Sequence, residues 1–165
     1  ARAGRALERG EEAEVLERFW GAELAPASRW TASDVDERKR QWRERDGLFR
    51  GLPHHLAWER VALEREEVLE VLYINWDWWL TVSNGTRLAT VAAEVQGRDE
   101  GDRAIAAAAA ANPELIVVSD PERSKLVLLE GHVRLTAYAA FPEYLPDELE
   151  VYLGVSARIA DWSEW

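Results

Sequence analysis

The sequence predicts an α+β fold, a mixed α/β arrangement in which a small sheet carries flanking helices. Three observations carry that expectation. Two short runs rich in branched apolar residues, Leu-Ile-Val-Val at 115–118 and Leu-Val-Leu-Leu at 126–129, stand on either side of a turn. Amphipathic and alanine-rich stretches with a helical period alternate with such runs along the chain. The 165 residues, 47 % hydrophobic and 31 % charged, suit one domain with a real core plus an N-terminal extension.

Residues 1–24 place Leu7, Val15, Leu16, Phe19 and Leu24 amid Glu and Arg, a helical pattern with a solvated face. "APAS" at 25–28 breaks it, and Thr31, Ser33 or Asp34 is positioned to cap a second helix running to about Arg45. "DGLFRGLP" at 46–53 is a loop, so the chain divides into a helical extension, 1–55, and a main domain, 56–165. In "LAWERVALE" the alternation of Trp58, Val61 and Leu63 predicts a short extended segment, and "EREEVLEVL" returns to a helical period. "SNGT" at 83–86 is a turn by composition, and "RLATVAAEV" an amphipathic helix. "QGRDEGD" at 96–102 is expected to be a loop, and "RAIAAAAAAN" a helix that Asn112-Pro113 stops.

The segment 114–130 reads as a β-hairpin, with "DPERSK" as its turn and Pro121 in a favoured early position. "HVRLTAYAAF" is a helix, "LPDELEVYLGV" a loop leading into a third strand, and "SARIADWSEW" a terminal helix with Ser156 as its cap. No internal repeat is apparent.

The longest apolar run, the alanine-rich 104–111, is far too short to cross a bilayer. The absence of cysteine removes disulfides, thiolate metal sites and cysteine nucleophiles together, and with no secretory-signal pattern at the amino end a cytoplasmic location is expected. A net charge of −11 repels phosphate backbones, which argues against nucleic acid as a partner. The one basic stretch, "DERKRQWRER" at 36–45, interleaves acids with bases as a solvated helix does.

The chemistry-bearing residues gather where the hairpin ends. A glycine between a strand and a helix turns the backbone sharply and leaves the first helical N–H groups open to an anion. Gly131 is so placed. Arg134, in the first helical turn, would close over a phosphate or carboxylate, His132 would donate to it, and Thr136 offers a hydroxyl. Glu130 would serve as proton acceptor or hold a metal-bound water. The competing structural account is a Glu130–Arg134 ion pair that caps the helix.

Three further features carry two readings each. Tyr73, Trp76, Trp78 and Trp79 form either a core and hinge or a stacking platform for a ligand, and Asp77 within that run is a second candidate catalytic acid. Ser83, Gly85, Thr86 and Arg87 form either a second anion site or a capped helix start. His54-His55 are adjacent in an extended loop and point apart, which suits one metal ion poorly.

The order helix, "LIVV", turn, "LVLLEG", then "HVRLTAYA" resembles the ParB/sulfiredoxin-like domain, whose members hold nucleotide phosphates with a G-x-x-R box at this strand-to-helix corner. In ParB proteins the box resembles Gly-Glu-Arg-Arg; Gly131, Arg134 and Ala137 match the pattern here, while His132 and Val133 do not. The similarity spans roughly 56–155 and is closest over 104–153. Sulfiredoxins carry a catalytic cysteine directly after the glycine, where this chain has His132, so their chemistry is excluded. ParB proteins add a helix-turn-helix region that does not follow here, and Val133 replaces the second arginine, so neither centromere binding nor CTP hydrolysis is expected.

The resemblance implies a free-standing nucleotide-binding or phosphate-binding member of that group. It would use a nucleoside triphosphate or diphosphate with Mg2+ as a phosphotransferase or nucleotidase on a small molecule. The alternatives are a non-catalytic nucleotide-sensing or protein-interaction module, and a ParB-like nuclease, which would need a basic track the sequence lacks. The expected partner is a nucleotide or other phosphorylated small molecule, with a homodimer or protein contact through the tryptophan-rich surface, where Trp162 and Trp165 lie three positions apart.

Overall fold

The computed structural model describes residues 5–6, 51–53, 56–96, 100–111 and 115–165. The helices expected within 7–50, their candidate caps Thr31, Ser33 and Asp34, and the His54-His55 pair lie outside the described residues.

The architecture is α+β. One mixed sheet runs in the order β1-β2-β5-β3-β4, from β1 (Arg5–Ala6), β2 (Ala57–Glu64), β3 (Ile116–Ser119), β4 (Val127–Glu130) and β5 (Glu148–Val155). Strands β2 and β5 pair antiparallel along their full length, from Ala57 opposite Val155 to Glu64 opposite Glu148. Strand β3 lies parallel to β5 and antiparallel to β4, so the expected hairpin is present. Arg5 and Ala6, inside the stretch read as helical from sequence, pair instead with Arg60 and Glu59.

The helices are α1 (Arg65–Leu69), α2 (Asp77–Val82), α3 (Ala89–Gln96), α4 (Glu100–Ala111) and α5 (His132–Ala140). Period-two alternation gives the sheet two apolar faces. Val61, Leu63, Val117, Leu128, Val151 and Leu153 face a cluster that includes Val68, Ala89, Ala92, Leu135 and Tyr138 from the helices. Trp58, Ile116, Val118, Val127, Leu129 and Tyr152 point the other way, against Ile159 and Trp162.

Three boundaries differ from the sequence reading. The helix expected through "EREEVLEVL" stops at Leu69, because the next residues are drawn to the sheet edge. Leu72 forms a parallel bridge with Val127, accepts from the Leu128 amide at 2.7 Å and donates to the Leu126 carbonyl at 2.9 Å. An exposed row of backbone donors and acceptors on β4 is thereby covered. Helix α4 begins at Glu100, inside the expected loop, where an acid in the first turn is favoured by the helix dipole.

The expected C-terminal helix is one 3-10 turn, Ile159–Asp161, followed by further turns. Ile159 and Trp162, the buried apolar residues of this segment, are three apart, a spacing that a three-residue turn stacks on one side. Ser156 is not the cap of that 3-10 turn, a position that Arg158 takes; the Ser156 hydroxyl instead accepts from the Arg158 amide at 3.2 Å in the preceding turn. Trp162 packs in the core and Trp165 is partly buried against the same cluster, with the Lys125 ammonium 4.3 Å from its ring centre. Among the described residues, no helix is long and apolar enough to cross a membrane.

Candidate functional site

The corner where β4 passes into α5 is shaped by Gly131, whose φ of 104° and ψ of 20° place it in the left-handed region. A side chain is excluded there on a second count: a Cβ at Gly131 would lie 2.5 Å from Cδ2 of Leu115, which is itself fully buried. The Gly131 carbonyl accepts from the Leu135 amide at 2.9 Å, which starts the helix.

Arg134 doubles back over this turn. Its Nε and one terminal nitrogen come within 3.5 Å of the point a Gly131 Cβ would occupy. The salt bridges among the described residues join Arg60 to Glu150, Arg65 to Asp147, Arg123 to Glu59 and Arg158 to Asp161; none joins Glu130 to Arg134. The ion-pair account of this corner therefore finds no support in the geometry, and the half-buried guanidinium keeps its fork available beside the helix N-terminus. Glu130, half-buried, ends β4 directly before the glycine.

His132 is the inner wall of the corner. Its ring stacks on Trp79 with centroids 4.8 Å apart at 20°, and on Tyr73 at 5.8 Å and 23°. Tyr73 and Trp79 meet at 4.6 Å and 34°, so three rings from the β4 edge segment, α2 and α5 form one aromatic group. The buried Thr136 hydroxyl donates to the His132 carbonyl at 2.8 Å. That commits its only proton, so at the 2.6 Å contact between Thr136 Oγ1 and the Tyr73 hydroxyl the tyrosine is the donor. Thr136 thus lies inside the corner, in a chain from Tyr73 to the His132 backbone, and not at its mouth. Burial pushes the Tyr73 phenol up to about 12.

Tyr138 is fully buried one turn beyond Arg134, and its hydroxyl has no hydrogen-bond partner. Burial raises its pKa and the charge of Arg134 works against that rise.

The 83–87 segment is brought together as a turn by its own bonds. Ser83 Oγ donates to the Trp79 carbonyl at 2.6 Å and accepts from the Arg87 amide at 2.9 Å. Thr86 Oγ1 donates to the Ser83 carbonyl at 2.7 Å and accepts from the Leu88 amide at 3.2 Å. Gly85 turns at a φ of 77°, and Arg87, itself at a φ of 65°, sends Nε to the Tyr73 carbonyl at 2.7 Å and a terminal nitrogen to the Glu164 carbonyl at 3.0 Å. Burial pulls the Arg87 pKa below its ordinary value, opposed by the Glu164 carboxylate. Arg87 thereby ties the Tyr73 segment to the C-terminal turn, while the Ser83 and Thr86 hydroxyls are engaged within the 83–87 turn itself.

Asp77 is the exposed first residue of α2, and its carbonyl accepts from the Thr81 hydroxyl at 2.7 Å. Trp79 faces the corner from that helix, Trp76 is partly buried against the second sheet face, and Trp78 remains 65 % exposed. Among the described residues, no three metal-ligating side chains come together.

Sequence reasoning missed that Tyr73 and Trp79 stack on His132, a contact made through chain distant in sequence. The stripe Gly131, Arg134, Tyr138, at spacings of three and four, was open to inspection as one helix face. Comparison with protein-family models, curated proteins and solved structures finds no match.

Proposed function

We propose that this protein binds the phosphate groups of a nucleotide or other phosphorylated small molecule at the β4–α5 corner. The carrying observation is the Arg134 guanidinium, folded back over Gly131 and joined to no carboxylate among the described residues. A forked cation held beside the open N–H groups of a nine-residue helix is the chemistry that recognises a phosphate. The likeness of this corner to the ParB/sulfiredoxin-like G-x-x-R box supports the same reading. On that reading the anion meets Arg134 and the first amides of α5, with His132 stacked firmly enough to present one fixed edge.

The described residues do not build a metal cage, so Mg2+ would be held largely by the ligand's own phosphates, as is common for this ion. In a phosphotransferase or nucleotidase, the work left to the protein is positioning and charge neutralisation, for which Arg134 and the helix end suffice, and Glu130 is the acid nearest in sequence to act as base. A second reading, a binding module without turnover, is favoured by the exposure of Trp78 at 65 % and Val133 at 54 %, which offer apolar surface to a partner.

The test is a thermal-shift series with ATP, ADP, CTP, GTP and pyrophosphate, each with and without Mg2+. Ligand at a hundred times its dissociation constant stabilises by about 2.7 kcal/mol. Arg134→Ala is expected to remove that shift while changing unliganded stability by about 0.5 kcal/mol or less. A shift that survives in Arg134→Ala rules out this corner as the phosphate site. Turnover that survives Glu130→Gln removes Glu130 from the role of base.

A further inference from the structure

Gly131, Arg134 and Tyr138 lie along one stripe of α5, and helical side chains lean toward the N-terminus of their helix. The Tyr138 side chain therefore leans along α5 toward the turn that carries Arg134, whose guanidinium lies over Gly131. The Tyr138 hydroxyl is sealed from solvent and has no hydrogen-bond partner. Buried donors in native proteins are nearly always satisfied, so one left unsatisfied on the same helix stripe as Arg134 calls for an acceptor that arrives from outside.

We propose that the Tyr138 hydroxyl is a second donor for the phosphate that Arg134 gathers, so that the group is held by a cation and a neutral phenol together. The proposal rests on the phosphate-corner reading and adds to it a residue that no motif assigns. Arg134 forms no salt bridge among the described residues, so its swing onto a ligand breaks none and frees the space that its own side chain fills beside Gly131. A phosphate oxygen drawn into that space gains a short donor in a low-dielectric setting, where such a bond is strongest. Burial also favours the protonated phenol, which leaves it able to donate at neutral pH.

The experiment is calorimetric titration of the full chain with pyrophosphate, for the wild type, Tyr138→Phe and Arg134→Ala, alongside urea denaturation of each without ligand. Tyr138→Phe removes one oxygen and nothing else. The proposal expects the unliganded variant to be as stable as the wild type or more so, since an unsatisfied donor has gone, while pyrophosphate binds about tenfold to a hundredfold more weakly. Unchanged affinity in Tyr138→Phe, with binding lost in Arg134→Ala, leaves the corner standing and overturns the role of Tyr138. A clear loss of unliganded stability or a failure to fold in Tyr138→Phe means that the hydroxyl serves the free protein, and also overturns it. No binding by the wild type defeats both the corner and its second donor.

Discussion

At the scale of single residues the corner is over-determined, which is why so short a motif holds its shape. Gly131 is required by its φ of 104° and again by the Leu115 side chain against it, and the Arg134 guanidinium lies 3.5 Å from the point a Gly131 Cβ would take. Behind it, Tyr73 donates to Thr136 and Thr136 to the His132 carbonyl. Because burial raises the folded-state pKa of Tyr73 to about 12, above the ordinary phenol value near 10, its protonated form is favoured by folding. The resulting stability is fully present below about pH 10 and is lost as pH rises through about 12, a change of about 2 to 3 kcal/mol. Tyr73→Phe should therefore cost about 1 kcal/mol at neutral pH, through the lost bond, and should flatten the decline in stability above about pH 10. Urea denaturation of both proteins across that range measures it, and parallel declines would show that Tyr73 is not the group responsible.

At the scale of elements, the corner depends on pieces that meet only in three dimensions. The segment after α1 lies along β4, and Arg87 holds it there by bonding the Tyr73 carbonyl while reaching the Glu164 carbonyl of the C-terminal turn. Lysine at 87 keeps the charge but loses the fork, and leaves one of two carbonyls without its donor. Arg87→Lys should cost about 1 to 3 kcal/mol and should speed hydrogen exchange at the Asn75 amide, which bonds the Glu164 carbonyl at 3.1 Å. Unchanged exchange at Asn75 would separate the two ties. The strands were legible because runs such as Val127–Leu129 alternate between two apolar faces, and Gly131 and Arg134 were legible because a glycine between strand and helix has few uses. The edge role of Leu72 was not, since its bridge partners, Leu88 and Val127, lie sixteen and fifty-five positions away. The C-terminal turn was misread for the opposite reason: a local pattern compatible with α-helix was resolved as a 3-10 turn by the burial of Ile159 and Trp162.

At the scale of the whole molecule, the corner proposed to bind phosphate sits on a chain of net charge −11, and the two make opposite demands on an anionic ligand. Arg134 and the end of α5 act over a few ångströms, where salt has little effect, whereas the summed negative charge acts at longer range and is screened over about 10 Å at 0.1 M ionic strength. Approach should then be the step that salt assists. The association rate constant for pyrophosphate, followed by tryptophan fluorescence in stopped-flow mixing, is expected to rise from low to moderate ionic strength. A nucleic-acid surface behaves the other way, because release of counterions from neutralised phosphates makes binding fall steeply with salt. A rate that falls as salt is added would place a basic field around the corner that outweighs the net charge, and would return the nuclease reading to consideration over a small phosphorylated ligand.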